Sequence, residues 1–348
     1  ILTDVETLPR SILFWRSLTH WIGGFGIIAM VILIFPTFRT TGYRMFGLES
    51  SLKEKIQPKT TSTILRLLFI YLGLTFAEVF LLWFGDMDLF ESLCHAFGTV
   101  ATGGFSTRNA GLAYYSAYSQ YVVMIFMFLS GISQVVYYYL VKLNFKKVKR
   151  NDELFFYLAV IIISGTIATS ILISFSGKTF ETAFREGFFQ AVSIITCTGF
   201  ANADYTLWPI PGMMLLFLLM FSGGCTGSTS GGIKMARHLI VLKNIKNIFV
   251  KLIHPDSVST VKFNGNSLSE KSSNSIMTFI AVYLFIFLLG SIILTLDGSD
   301  IMTSASSAAT CMAGIGPGMA TVGPMSNYEH LNAISKITLS ILMILGRL

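Results

Sequence analysis

The sequence predicts an all-α polytopic membrane protein in which spanning helices alternate with short re-entrant pore helices and glycine-rich loops. Three observations carry this. Of 348 residues, 53% are hydrophobic and 12% charged, against about 25% charged in soluble domains, and the mean hydropathy is +0.67. Long apolar runs recur at lengths that cross a hydrocarbon layer. Three of the connections between them share one internal order: acidic or polar residues, a short amphipathic stretch, a glycine knot, polar residues, then the next apolar run.

Spanning stretches are expected over residues 12–35, 64–84, 118–141, 154–175, 211–221 with its continuation 233–250, 276–296 and 331–348. Basic residues orient them. Arg39, Arg44, Lys53, Lys55 and Lys59 share one connection, Lys142, Lys146, Lys147, Lys149 and Arg150 another, and Lys251, Lys262 and Lys271 a third, which places these three in the cytoplasm. The net charge of +7 is thus an orientation signal and no argument for nucleic acid. Asp4 and Glu6 stand where a cleavable signal peptide needs positive charge, so none is expected. Cys94, Cys197, Cys225 and Cys311 lack metal-ligand spacing and read as small packing residues.

The outward connections are 86–117, 176–208 and 297–330. Their amphipathic stretches are LFESLCHAFGTV, FETAFREGFFQAVSII and IMTSASSAATCM, and their knots ATGGFST, TCTGFAN and AGIGPGM. Non-helical backbone at membrane depth is tolerated only beside protein or water, so three such loops in register predict a pore. A dehydrated alkali cation needs several oxygen ligands around an axis. Backbone carbonyls supply them without burying carboxylate charge, glycine admits the angles that aim them one way, and a short helix ending at the knot adds the negative end of its dipole. Gly104 before Phe105, Gly199 before Phe200 and Gly316 before Pro317 are the matching positions. Outside, Asp86, Asp88, Glu91, Glu181, Glu186, Asp204, Asp297 and Asp300 outnumber Arg108, Lys178 and Arg185, a balance expected to concentrate cations at the mouth.

The run over 211–221 reaches only about 17 Å into a layer near 30 Å thick before SGGCTGSTSGG, residues 222–232, interrupts it. Five glycines there remove any single backbone preference, and the hydroxyls can satisfy freed main-chain groups. The segment is expected to rearrange cheaply.

ATGGFST, TCTGFAN and GIGPGM, with LTHWIGGFGII (18–28), SGGCTGSTSGGIKMARH (222–238) and ILGRL (344–348), together resemble the Trk/Ktr superfamily of potassium transporters and, within it, the TrkH-type membrane subunits, over essentially the whole chain. The resemblance implies pseudo-fourfold repeats of helix, pore helix with filter loop, and helix around one ion path, usually as a homodimer in the bacterial inner membrane, without enzymatic activity or organic cofactor. It implies potassium uptake through a gated, channel-like path, with K+ held by filter carbonyls at Ala101, Thr102, Gly103 and Gly104, at Thr196, Cys197, Thr198 and Gly199, and at Ala313, Gly314, Ile315 and Gly316. It makes 222–232 an intramembrane gate loop in which Gly223, Gly224, Gly227, Ser228, Gly231 and Gly232 act together with Arg347. A separate cytosolic ring of nucleotide-binding, TrkA-like subunits is the implied regulator. The repeats then divide as 1–60 (second helix of the first repeat and a cytoplasmic loop), 61–150, 151–272 and 273–348. LTDVETLP resembles the residues just after a first filter loop, so that loop is expected upstream of Ile1, and the last helix is expected to stop in mid-course. Ala313 and Gly314 depart from the Asn-rich pattern common in relatives.

Other readings stay open at this level. A symporter coupled to H+ or Na+ also uses half-helix ends at the midplane. GGCTG has the spacing of a nucleophile elbow, which would make the chain an intramembrane hydrolase, yet no paired His and Asp stands out. Gly227 to Gly232 has phosphate-loop spacing, but Ile233 sits where lysine is needed. Arg347 could instead snorkel to the cytoplasmic interface. Lys234 and Arg237 divide between the loop and the surface, and Glu78, His20 and His95 between titrating and packing roles.

Overall fold

The computed structural model describes residues 4–33, 60–254 and 260–347. The basic connection from Arg39 to Lys59, Ile1 and Leu348 lie outside them. Thirteen helices are found among the described residues: α1 (Arg10–Leu33), α2 (Thr60–Trp83), α3 (Leu89–Val100), α4 (Ala117–Ser130), α5 (Gln134–Val141), α6 (Phe145–Lys149), α7 (Asp152–Ser176), α8 (Phe180–Ile195), α9 (Ile210–Leu219), α10 (Met235–Ile253), α11 (Glu270–Leu296), α12 (Ile301–Ala313) and α13 (Ala333–Arg347). One hairpin, β1 (Lys262–Phe263) and β2 (Asn266–Ser267), precedes α11.

Ile64–Trp83 of α2, α7 and α11 are each long and apolar enough to cross a membrane alone. Their polarity is inverted relative to a soluble bundle. On α7, Phe155, Ile162, Ile163, Ile167 and Phe175 are exposed, whereas Ser164, Ala168 and Thr169 are buried. Small residues face inward because they let backbones approach, and the large apolar ones face lipid. Gly187 of α8 shows the approach: a Cβ there would lie 2.9 Å from the Thr169 amide nitrogen.

A short helix follows each of α2, α7 and α11, and side chains cap all three. Asp88 accepts the Glu91 amide, Thr179 the Thr182 amide and Asp300 the Thr303 amide. Each cap satisfies an otherwise orphaned donor and sets the helix running inward, with its C-terminus at the glycine knot.

The expected single span over 118–141 is corrected: it is two helices, α4 and α5, bent by 92°. The hinge is Gly131, where any Cβ would overlap the Tyr157 hydroxyl and lie 2.8 Å from the Thr196 methyl. Main-chain groups freed by the bend are satisfied from the interrupted span, since Cys225 N donates to Gly131 O (2.8 Å) and Gln134 N to Gly227 O (3.2 Å). The two broken helices therefore meet at their breaks.

Candidate ion path and intramembrane loop

The three knots close in the same way. The amides of Thr102, Cys197 and Gly314 donate to the carbonyls of Thr99, Ile194 and Cys311, three residues back, at 2.9, 3.0 and 3.2 Å. Those of Gly103, Thr198 and Ile315 donate to Gly98, Ser193 and Thr310, five residues back, at 2.7, 2.9 and 2.9 Å. This pair of bonds is the Schellman closure, which needs a left-handed residue at its centre. Thr102, Cys197 and Gly314 fill that place with φ of 51°, 56° and 72°. A second left-handed residue follows two positions on: Gly104 (69°), Gly199 (81°) and Gly316 (106°). Because the amides turn back into the helices, the carbonyls turn outward. Among the described residues, those of Thr102, Gly103, Cys197, Thr198, Gly314 and Ile315 accept no hydrogen bond from the protein. The Gly316 carbonyl differs, accepting from the Tyr328 hydroxyl at 2.7 Å.

The knots also touch one another in order. A Cβ on Gly104 would overlap the Thr198 carbonyl oxygen, and one on Gly199 would overlap that of Ile315. Each key glycine thus abuts a free carbonyl of the next knot. On the other side of the first knot, His20 of α1 packs so closely on Gly103 that a Cβ there would overlap its ring. His20 stacks on Phe105 with 3.6 Å between ring centroids, and Arg16 lies over the same Phe105 ring at 3.9 Å while donating to Ser106 O at 3.2 Å.

The segment between α9 and α10 lies against these knots. Thr229 is fully buried; it donates its hydroxyl to Val100 O (3.3 Å) and accepts from the Thr102 hydroxyl (3.1 Å). Gly231 lies against the Ala313 carbonyl, and Gly232 near Cys197 Sγ, whose thiol meets Ser222 O at 3.6 Å. Arg347 Nη2 donates to Thr229 O at 2.9 Å. Lys234 Nζ donates to Ser230 O at 2.5 Å and to its hydroxyl at 3.1 Å, while Arg237 sits 3.7 Å over the Phe279 ring.

The segment is fastened internally as well. Gly223 N donates to Ile233 O (2.8 Å), Met235 N to Gly224 O (3.2 Å) and Gly224 N to the Ser230 hydroxyl (2.9 Å). Ser228 Oγ reaches Cys225 O (2.6 Å) and Ser230 Oγ (2.7 Å). The glycines expected to free the backbone here are also needed for close contact. Gly227 (φ 77°) and Gly232 (63°) use left-handed angles, but Gly223 is required by contact, since a Cβ there would overlap the Gly231 carbonyl.

At the outer face, each of the eight acids is committed to a local bond. Glu91 pairs with Arg108 (2.8 Å), Glu186 with Lys178 (2.5 Å) and Glu181 with Arg185 (2.9 Å). Asp88 and Asp300 cap helices, and Asp86, Asp204 and Asp297 accept from Ser116, Thr206 and Ser335. The Ser335 hydroxyl and amide hold the Asp297 carboxyl below its ordinary range, and Thr303 does the same for Asp300. Behind the knots, His95 bonds Glu91 O and the Ser106 hydroxyl, Glu78 is wholly buried, and all four cysteines are buried and free.

Thr229 and His20 are site residues that the sequence did not single out for this place, and Thr102 and Cys197, expected as filter residues, take left-handed angles that the sequence did not announce. Another is Glu153, buried at the start of α7, whose acidic position in a first helical turn looks like ordinary dipole complementation.

The chain matches the model of the TrkH family, a cation transport protein, over residues 1–162 and 154–348. The Trk system potassium uptake protein TrkH of Escherichia coli (strain K12) is 31% identical over 355 residues, covering 100% of this chain and 73% of that protein. TrkG of the same strain is 32% identical, with 100% and 72% covered, and TrkI of Halomonas elongata 31% identical, with 100% and 71% covered. Among solved structures, the potassium transporter TrkH from Vibrio parahaemolyticus aligns with a TM-score of 0.88 at 27% identity, over 100% of this chain and 72% of that one.

Proposed function

Because the chain belongs to the TrkH family of cation transport proteins, we propose that it passes K+ along one gated path lined by main-chain carbonyls of 101–104, 196–199 and 313–316. It is a multi-pass protein of the bacterial inner membrane and a potassium uptake transporter of the Trk system, not an enzyme.

The observation that carries the path is the seating of Gly104 on the Thr198 carbonyl and of Gly199 on that of Ile315. Contact between successive knots gathers their free carbonyls on one axis, as replacing the hydration shell of a monovalent cation requires. The C-termini of α3, α8 and α12 add partial negative charge where the ion would stand.

The segment 222–232 is the gate in this reading. It lies against all three knots, and Arg347 holds it at Thr229. A guanidinium at membrane depth costs several kcal/mol unless it is bonded and faces protein or water, and here it places positive charge beside the path. Opening requires this segment to leave the knots. A homodimer regulated by a cytosolic nucleotide-binding ring completes the proposal; the Trk system names of the relatives support a system of several components, and the basic segments around 142–150 and 251–271 offer such a ring a docking surface.

Potassium flux into liposomes holding the purified protein tests the path. Downhill flux, indifferent to imposed proton and sodium gradients, is the expected result. Uphill potassium movement driven by either gradient would replace the channel-like path with a symporter.

A further inference from the structure

Two adjacent acids at the first turn of α7 hold two different parts of the molecule. Glu153 is only 2% exposed, and its Oε1 accepts one main-chain amide from within the intramembrane segment and one from the first turn of α10 just after it: Thr226 at 2.5 Å and Ala236 at 3.1 Å. One carboxylate oxygen thus sets the separation of the points from which residues 227–235 depart. Bonds of this kind, from amide to carboxylate, are among the stronger ones a protein makes.

Asp152 faces the cytoplasmic hairpin instead. Lys262 to Ser267 reads K-F-N-G-N-S, and Asn264 and Gly265 both take left-handed angles, φ 50° and 77°, as a two-residue hairpin turn demands. That turn exchanges bonds with α7: Asp152 N donates to Asn264 Oδ1 at 2.8 Å, and Asn264 N to Asp152 Oδ2 at 3.2 Å. Lys243 of α10 joins them, donating to Asp152 Oδ2 at 2.6 Å and to Lys262 O at 2.8 Å. The hairpin also packs Val261 and Phe263 against Ala236 and Ile240 at the start of α10, so Ala236 belongs both to the hairpin's core and to the Glu153 clamp.

We propose that Glu153 is the positioning residue of the intramembrane segment, and that the hairpin, latched to Asp152 next door, is the cytoplasmic handle through which the position of that segment is set. A rigid first turn of α7 couples the two, because Asp152 and Glu153 cannot move independently while α7 remains helical. The proposal rests on the reading of 222–232 as the gate for its functional consequence, but not for its structural one.

Two measurements on the full chain in liposomes test it: hydrogen exchange of peptides covering 222–237, and potassium flux. Glu153→Ala removes the acceptor, and exchange over 222–237 rises about tenfold or more. Glu153→Gln keeps an acceptor oxygen and restores near-wild-type exchange. Asn264→Gly is the decisive variant, since glycine keeps the left-handed turn and the main-chain bond to Asp152 Oδ2 but deletes the side-chain acceptor of the Asp152 amide, some distance in sequence from the segment being read. It is expected to raise exchange over 222–237 severalfold and to change flux in the same direction as Glu153→Ala. If Asn264→Gly loosens only the hairpin, or if Glu153→Gln is as loose as Glu153→Ala, the proposal is overturned. If exchange responds as expected while flux is constant, the relay stands and the gate reading falls.

Discussion

Arg347 Nη2 donates to the main-chain carbonyl of Thr229 at 2.9 Å, joining the last turn of α13 to a residue that also bonds Val100 and Thr102 at the first knot. One residue thus carries both the cationic anchor and the contact with the first knot. Hydrogen bonds to charged groups contribute about 1.5–3 kcal/mol. Arg347→Ala is therefore expected to move a closed-to-open equilibrium roughly 10- to 150-fold toward open, seen as raised potassium flux in liposomes. Arg347→Lys, lacking the planar fork, should fall between. Unchanged flux in both variants would remove Arg347 from gating.

Thr229→Val separates the two functions of that residue. The hydroxyl bonds to Val100 and Thr102 go, while the carbonyl for Arg347 stays. A loss of about 1–2 kcal/mol predicts an increase in flux smaller than that of Arg347→Ala. In the double variant the increments should fall short of the sum, because both act on one contact; full additivity would place them on separate elements.

Gly199→Ala is expected to abolish selective transport. The left-handed angle alone costs an alanine about 1–2 kcal/mol, and its methyl would overlap the Ile315 carbonyl, forcing two knots apart. Gly73→Ala on α2 is the matched control, since a Cβ there meets nothing within 4 Å. Competition between K+ and Na+ in flux assays distinguishes them. Selective transport by Gly199→Ala equal to that of Gly73→Ala would show that the knots do not form the filter.

Asp297 closes α11 onto α13 through Ser335, whose hydroxyl and amide stabilise the charged carboxylate and lower its pKa on folding. Its contribution is complete above the unfolded value of about 4 and disappears as pH falls through the lower folded value. The thermal stability difference between the natural protein and Asp297→Asn should therefore be constant near neutrality and shrink below about pH 4. A difference that grew on acidification would contradict the assignment.

Much of this architecture was legible in the sequence, for identifiable reasons. The glycine knots stood out because few residues other than glycine fill a left-handed position, and the interrupted span because SGGCTGSTSGG cannot continue an apolar helix. The α4 and α5 break was hidden, since Gly131 lies in an otherwise apolar run and its bend is imposed by Tyr157 and Thr196 from elsewhere in the chain. Thr102 and Cys197 could not be read as left-handed, because no local signal forces a residue with a Cβ into that conformation; the Schellman closure does. The same holds for Glu153, whose two partners lie 73 and 83 residues away. The Asn264 and Gly265 turn, by contrast, was readable as a hairpin from its dipeptide alone and was passed over in a basic loop.

The most direct test of the carbonyl-lined path is anomalous diffraction from crystals of the full chain soaked in Rb+ or Tl+, heavy substitutes for potassium. Anomalous density is expected on the axis shared by the carbonyls of Thr102, Gly103, Thr198 and Ile315, and should disappear in Gly199→Ala. Ions bound only elsewhere, with that axis empty at saturating concentration, would contradict the account.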